Sequence, residues 1–181
     1  MDNFSIVLEQ EIPRLRRYAC ALHRWNRPQA DDLVQDTLVR AIAKQHRWQP
    51  GTNLRGWLFT LMHHQNVNDV RRSIARGGVG FAAEELCESL ASVSDPSASL
   101  QLRDLERAMV KLPIENRQVI LLVALEGLSY EEVAEVLRIP VGTVRSRLSR
   151  GRVALRRWMD MEEKAIPTRK AREGSPGSLA A

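Results

Sequence analysis

The stretch that most constrains the fold is residues 128–157, which read LSYEEVAEVLRIPVGTVRSRLSRGRVALRR. Ser129 and Glu132 have the S-x-x-E spacing of a capping box, so a helix is predicted to begin directly after Ser129. Pro140 ends that helix, because a proline disfavours the α conformation in the residue before it. A second helix is then predicted from about Val141. The two helices and the tight turn between them have the form of a helix-turn-helix.

The second of these helices has two distinct faces. Val144 and Leu148 lie at helical spacing on an apolar side. Another side carries small hydroxyl groups and arginines, at Thr143, Ser146, Arg147 and Arg150. Such groups near the start of a second helix suit entry into the major groove of DNA. The alternative is an amphipathic hairpin with a solvated basic face, but the one-sided arginines favour DNA binding.

Composition and charge divide the chain into parts. Hydrophobic residues make up 44% and aromatic residues 5%, which allows a core and favours helices over sheet. The net charge is +5, yet residues 77–100 hold four acids and no Lys or Arg, and they open with glycines. We therefore predict an all-α protein of two small helical domains with a flexible acidic linker. The predicted boundaries are 1–76 for the first domain, 77–100 for the linker, 101–163 for the second domain and 164–181 for a disordered tail.

An acidic stretch, DDLVQD, stands out in the first domain of this basic protein. The apolar stripe around it predicts a buried helix face made of Leu33, Val34, Thr37, Leu38, Ala41 and Ile42. Asp32, Gln35 and Asp36 then share the opposite, outward face. Asp31 is expected near the helix start, where a carboxylate interacts well with the helix dipole. A catalytic carboxylate pair is disfavoured, because no nucleophile or metal ligand stands nearby in the sequence.

A second helix of this domain is predicted after Pro50-Gly51, with Thr52 or Asn53 as its cap. Its apolar face is made of Leu54, Trp57, Leu58 and Leu61. Polar residues expected mostly away from that face are Arg55, His63, Asn66, Asp69, Arg71 and Arg72. This polar side suits a nucleic acid, and Trp57 and Phe59 are the candidates for base stacking, although Trp57 is more typical of a core. His63 and His64 are expected at the surface.

Several functional classes lack support in the sequence. Cys20 and Cys87 lie far apart, which favours reduced thiols over a disulfide. Cys20 and His23 have ligand-like spacing, but no second pair completes a zinc site, so no metal is predicted. No motif predicts a cofactor or a catalytic centre. Residues 1–8 lack the basic start of a signal peptide, and no run of about 18 apolar residues occurs, so a cytoplasmic protein is expected.

Four blocks in this order resemble bacterial RNA polymerase sigma factors of the extracytoplasmic-function (ECF) group. They read DDLVQDTLVRA, NLRGWLFTLMHHQNVNDVRR, LPIENRQVILL and LSYEEVAEVLRIPVGTVRSRLSRGR, and the resemblance covers about residues 5–76 and 101–160. It implies sigma region 2 followed by sigma region 4. It also implies core RNA polymerase, promoter DNA and an anti-sigma factor as partners, with no catalytic residues and no membrane insertion.

The resemblance also implies roles for individual positions. The face of Asp32, Gln35 and Asp36 would dock on the clamp of the largest polymerase subunit, and LPIENRQVILL would touch the flap. The helix of 54–72 would read the minus-ten element as it melts, with Asn66 as the foremost base reader and the loop 48–53 as the pocket for an extruded base. The acidic linker would lie in basic polymerase channels.

Residues implied to contact minus-ten DNA are Asn53, Arg55, His63, Asn66, Asp69, Arg71 and Arg72. Those implied to contact minus-thirty-five DNA are Thr143, Ser146, Arg147 and Arg150. The alternative function is a stand-alone helix-turn-helix regulator, which needs a self-complementary dimer surface and palindromic half-sites. The outward acidic face fits the sigma factor better.

Overall fold

The computed structural model describes residues 3–76 and 96–165. Over these residues the chain forms α-helices and no β-sheet, which confirms the all-α prediction. The helices are Asn3–Leu22 (α1), Arg27–Ala43 (α2), Leu54–Ala75 (α3), Pro96–Lys111 (α4), Ile114–Ile120 (α5), Tyr130–Leu137 (α6) and Val141–Ala165 (α7). A short 3₁₀ turn, Gln45–Arg47, follows α2, and a π-helical turn, Leu121–Leu125, continues α5.

Helices α1, α2 and α3 pack into one bundle in the first half of the chain. Its core includes Leu15 and Tyr18 of α1 and Leu58 and Phe59 of α3, all at most 2% exposed. The Tyr18 and Phe59 rings meet edge to face, with their centroids 5.1 Å apart. Phe59 is therefore a core residue, and its predicted availability for base stacking is wrong in this structure.

The acidic helix α2 begins earlier than predicted, at Arg27, where Oδ1 of Asn26 accepts a hydrogen bond from the Gln29 amide. Asp31 consequently lies beyond the first turn, and the prediction that it serves the helix start is wrong. Its carboxylate instead lies 3.2 Å from Nε of Arg16, which ties α2 to α1.

The buried stripe of α2 is as predicted at Leu33, Val34, Thr37 and Ala41. The Thr37 hydroxyl lies in the core and donates a hydrogen bond to the carbonyl of Leu33, one turn earlier, at 2.7 Å. Ile42, predicted on the same stripe, is 55% exposed, although Ala41 beside it in the last turn of α2 is fully buried.

The second half contains the predicted helix-turn-helix as α6 and α7. Ser129 caps α6, and both hydrogen bonds of the capping box form, one of them from the Ser129 amide to Glu132 at 2.8 Å. Arg138 ends α6 in the left-handed conformation, with φ of 53°. Helix α7 begins at Val141 as predicted and buries Val144 and Leu148 against the other helices.

Two helix ends differ from the predicted domain boundaries. Helix α4 begins at Pro96, inside the segment predicted as linker, because proline fits the first turn of a helix, where no amide donor is needed. Helix α7 runs to Ala165, two residues into the predicted tail. The linker from 77 to 95, with the short helix predicted at 84–90, and the tail from 166 lie outside the described residues.

The two halves of the chain pack against each other, and one arginine of α5 joins them. The Arg117 guanidinium is 2% exposed and donates to four carbonyl oxygens. Three belong to Met109, Val110 and Leu112 at the end of α4, and the fourth, at 2.9 Å, belongs to Leu22 at the end of α1. The residue lies in the block expected to touch the polymerase flap, but here its role is internal. Burial, together with the neighbouring charge of Arg24, lowers its pKa to about 10.

A buried ion pair and a bridging hydrogen bond complete the contact between the halves. The carboxylate of Glu126 is 0% exposed and lies 3.1 Å from Nη2 of Arg17 on α1. Burial raises the pKa of Glu126, and Arg17 acts against that rise. Asn53, the cap of α3, donates to Glu132 in the capping box of α6. In this arrangement α3 packs on α6.

Candidate nucleic-acid and protein interfaces

The three residues expected to bind polymerase share one exposed face of α2. Asp32, Gln35 and Asp36 are all solvent-exposed, so they are available to a partner. Asp36 is also held in place, because Nε2 of Gln65 on α3 donates to its Oδ2 at 2.6 Å. Within the described residues, neither Asp32 nor Asp36 forms an ion pair, and the face carries uncompensated negative charge.

The residues expected to read minus-ten DNA do not share one environment on α3. Arg71 and Arg72 are exposed near the end of the helix and free of the core. Arg55 lies against α1, where its Nε is 3.2 Å from Glu11. Asn53 is exposed but engaged at both ends of its amide, because Oδ1 also accepts from the Gly56 amide at 2.9 Å.

Asn66, the foremost predicted base reader, is buried. It is only 3% exposed, so the prediction that it lies away from the apolar face is wrong. The sequence carries the reason, since Asn66 follows Met62 by four residues and Phe59 by seven and so continues the apolar stripe. Gln65, which was not singled out from the sequence, continues the same stripe and is 1% exposed.

The two histidines of α3 are not on an open surface, contrary to expectation. Both are partly buried where α3 faces the second half of the chain. Burial, with smaller contributions from His64 and from Arg138 in the turn between α6 and α7, lowers the pKa of His63 to about 4. His63 is therefore neutral at physiological pH and offers DNA a hydrogen-bonding ring without a charge.

The loop before α3, expected to hold an extruded base, is exposed from Gln49 to Asn53. Its first residue, Trp48, is partly buried, with its ring centroid 5.5 Å from that of Phe4. Trp57 also packs on Phe4, at 6.4 Å. These aromatic rings support the loop from beneath.

The expected major-groove residues lie together near the start of α7. Ser146 and Arg150 are exposed, and Thr143 and Arg147 are partly exposed. Two of these side chains bond to their own helix: the Ser146 hydroxyl donates to the Thr143 carbonyl at 3.0 Å, and Nε of Arg150 donates to the Ser146 carbonyl at 3.3 Å. Because Ser146 and Arg150 are exposed and form only weak local hydrogen bonds, their side chains can turn toward a base edge.

A cavity between α2 and α3 brings together residues from both predicted interfaces. Its volume is about 340 Å³. Asp32 and Asp36 line it from α2, and Asn66 and Asp69 line it from α3. Gln65 connects the two sides, because its Nε2 lies 3.2 Å from Asp69 as well as close to Asp36.

Two further findings concern the described residues as a whole. No helix among them is both long enough and apolar enough to cross a membrane. Residues 3–76 and 96–165 also contain no group of three or more His, Cys, Asp or Glu arranged to hold a metal ion.

Family models match both halves of the chain. Residues 102–155 match sigma-70 region 4, and residues 8–63 match the sigma2 domain of PhyR. The first match spans the helix-turn-helix, and the second spans the acidic helix α2 together with the start of α3.

Two similar proteins are ECF RNA polymerase sigma factors. The ECF RNA polymerase sigma factor EcfG of Rhodopseudomonas palustris is 38% identical over 80% of this chain and 78% of its own length. SigE of Mycolicibacterium smegmatis, also an ECF sigma factor, is 34% identical over 88% of this chain and 62% of its own length.

Among solved structures, the sigma factor RpoE of Bartonella quintana, in complex with the anti-sigma factor NepR, matches with a TM-score of 0.76 and 30% identity. That match covers 90% of this chain and 99% of RpoE. CnrH in complex with the cytosolic domain of CnrY matches with a TM-score of 0.62 and 26% identity, over 88% of each chain. With matches to both of its halves and a 38% identical relative covered over most of its length, this chain belongs to the ECF RNA polymerase sigma factors.

Proposed function

We propose that this protein binds core RNA polymerase, directs it to promoters with minus-thirty-five and minus-ten elements, and assists their melting, without a catalytic role of its own. One observation carries the proposal: an exposed, uncompensated acidic face on α2 coexists with an arginine-bearing helix-turn-helix in the same chain. A DNA reader alone has no use for the acidic face, because DNA phosphates repel it.

The proposed division of labour follows the helices. Residues 1–76 act as sigma region 2 and residues 101–163 as sigma region 4, with 77–100 as the linker. Asp32, Gln35 and Asp36 dock on the polymerase clamp. Residues Asn53, Arg55, His63, Arg71 and Arg72 serve minus-ten DNA, with the exposed loop before α3 as the base pocket. Asn66 and Asp69, which line the cavity beside α2, are left out of that surface.

We further propose that the contact between the halves belongs to the protein away from polymerase. Asn53 is engaged with Glu132, and α3 packs on α6, so this arrangement occupies one end of the proposed minus-ten surface. Binding of an anti-sigma factor fits it, since the similar RpoE and CnrH structures are complexes with NepR and CnrY. The proposed place of action is the bacterial cytoplasm.

Run-off transcription with purified core polymerase tests the function. The protein is expected to direct initiation from a subset of promoters of its own genome. A failure to bind core polymerase, or initiation from none of those promoters, contradicts the proposal. Binding to palindromic DNA as a dimer without polymerase supports the stand-alone regulator instead.

Charge reversal on α2 tests the clamp face. Asp32→Arg with Asp36→Arg is expected to abolish measurable core binding, while circular dichroism and thermal unfolding show a retained fold. Both side chains are exposed, and Gln65, which loses Asp36 as an acceptor, keeps Asp69, so the fold is expected to persist with a modest loss of stability. Wild-type core affinity in this variant counts against the clamp assignment.

Truncation of one arginine tests the duplex reader. Arg147→Ala is expected to weaken binding to minus-thirty-five duplex by about 1–3 kcal/mol if the guanidinium forms a bidentate contact with a base. The measurement is fluorescence anisotropy with promoter duplexes that differ at single positions. An unchanged sequence preference excludes Arg147 as a base reader.

A further inference from the structure

Three carboxylates and one buried amide oxygen line the cavity between α2 and α3, and two of the carboxylates, Asp36 and Asp69, accept a hydrogen bond from Gln65. Asp32 and Asp36 face it from α2 and Asp69 from α3. The Asn66 carboxamide lines it from the core side, is only 3% exposed, and its Oδ1 has no hydrogen-bond partner in the described chain. A buried polar group without a hydrogen-bond partner lowers the free energy of unfolding. A ligand that fits this cavity must therefore bring donors.

The fold also concentrates negative charge at this place. A single nitrogen, Nε2 of Gln65, lies 2.6 Å from Asp36 and 3.2 Å from Asp69, so it holds two like charges together. Arg72 approaches Asp69 to 3.6 Å, but its side chain is 62% exposed and stays at the rim. Arg76 lines the cavity, yet three carboxylates outnumber it. The net charge around the cavity is therefore negative and favours the binding of another cation.

We infer that this cavity is a socket for a positively charged side chain, foremost an arginine, of the protein that docks on α2. The guanidinium group is planar and presents five donors in a fork, which matches carboxylates and an amide oxygen set around one space. This inference rests on the proposed function, in which α2 is the docking face for polymerase. It moves Asn66 and Asp69 from promoter reading to protein binding.

Promoter DNA fits the cavity less well than a basic side chain does. A single-stranded base enters with its phosphates close behind it, and three carboxylates repel them. The buried position of Asn66 also requires that a base reach past Asp32 and Asp36 to meet it. An arginine side chain is long, narrow and cationic, so it meets both conditions.

Two variants test the socket, with core RNA polymerase as the probe. Asp69→Asn removes a rim charge and keeps the shape, and Asn66→Leu replaces the buried amide with an apolar side chain of similar size. Each is expected to weaken core affinity by about tenfold or more, because Asp69→Asn removes one partner of a charged pair and Asn66→Leu removes the buried acceptor. Glu9→Gln on α1 is the matched control, because it removes an exposed charge outside the cavity and is expected to leave core affinity unchanged.

Thermal unfolding separates binding from folding. Asn66→Leu is expected to melt at or above the wild-type temperature, because it removes an unsatisfied buried amide. A variant that is equally or more stable yet binds core polymerase more weakly supports the socket. Wild-type core affinity in both variants overturns it.

A forked promoter fragment with a single-stranded minus-ten region is the second probe. If Asp69→Asn and Asn66→Leu lose fork binding while they keep core affinity, the residues read DNA and the socket is overturned. The variant Asp32→Arg with Asp36→Arg is measured alongside. If that variant keeps core affinity, the proposed docking face fails. If it loses core affinity while the other two keep it, only the socket fails.

Discussion

At the residue scale, Arg117 links the end of α4 to the end of α1 and so helps to fix how the two halves meet. Its guanidinium satisfies four carbonyls at the ends of α1 and α4, where the helix dipoles concentrate partial negative charge. A buried arginine with only neutral acceptors is tolerated because every donor direction that it presents inward is used. Burial disfavours the charged guanidinium and so lowers the pKa of Arg117.

Arg117→Met is expected to destabilise the protein by about 2–4 kcal/mol, because buried carbonyls lose their donor. Arg117→Lys is expected to fall between it and the wild type, since an ammonium cannot reach carbonyls spread over a planar fork. Urea unfolding followed by circular dichroism measures both. Arg107→Met on α4 is the control, because that arginine is 66% exposed and a change there alters stability by only about 0.5 kcal/mol. Equal stability of Arg117→Met and the control refutes this account.

At the element scale, α7 carries two glycines with opposite surroundings. Gly142, near its start, has no neighbouring atom within 4 Å of a Cβ placed on it. Gly151 is buried where α7 crosses α5, and a Cβ there lies 2.5 Å from Cδ1 of Ile120. Glycine weakens a helix, but at Gly151 the absence of a side chain lets α7 approach α5 closely.

Gly142→Ala is expected to stabilise the protein by up to about 1 kcal/mol through helix propensity. Gly151→Ala is expected to destabilise it by about 1 kcal/mol, because the added methyl must displace Cδ1 of Ile120 in a buried crossing. Differential scanning calorimetry measures both changes. The double variant Gly151→Ala with Ile120→Val is expected to recover most of the loss, since valine lacks the Cδ1 atom. A stabilising Gly151→Ala shows that the crossing has room.

At the scale of the whole molecule, the packing of α3 on α6 places His63 beside the second half of the chain. The pKa of His63 falls from 6.5 to about 4, chiefly through burial, so the packed protein holds the neutral ring and the unfolded chain protonates it first. The stabilising contribution of His63 is therefore complete above pH 6.5 and is lost as the pH falls from 6.5 toward 4.

We expect the free energy of unfolding to fall between pH 7 and pH 5 by less in His63→Gln than in the wild type. Glu126 acts in the opposite direction, since burial raises its pKa, but it is present in both proteins and cancels in the comparison. Urea unfolding at the two pH values gives the difference. His46→Gln, an exposed histidine in the 3₁₀ turn, is expected to behave as the wild type. If His63→Gln and the wild type show the same pH dependence, the His63 ring is exposed to water and this prediction is wrong.

The local elements were largely predictable because their causes are local. The capping box at Ser129, the break at Pro140 and the buried side of α7 follow from neighbours within a few residues, and all three are present. The apolar stripe of α2 was also predictable. It failed at Ile42, since periodicity indicates which face of a helix turns inward but not how wide the buried strip on that face is.

The placement of polar residues depended partly on helical phase, which the sequence carries, and partly on contacts that no local pattern contains. Asn66 was predicted on a polar surface because amides usually lie there, but its helical phase and that of Gln65 put both residues under α2, where Asp36 supplies a partner for Gln65. His63 was predicted to be exposed, but α3 packs against α6 and the ring is partly buried.

The amino-acid order therefore determines the helices, the helix-turn-helix and the outward acids of α2, because hydrogen-bond geometry and side-chain period act over a few residues. Only the tertiary structure decides that Arg117 and Glu126 join the halves, and that Asp32, Asp36, Asn66 and Asp69 line one cavity. These groupings unite residues up to 109 positions apart, as Arg17 and Glu126 are. Burial and Coulomb energies depend on distance in space, which spacing along the chain does not encode.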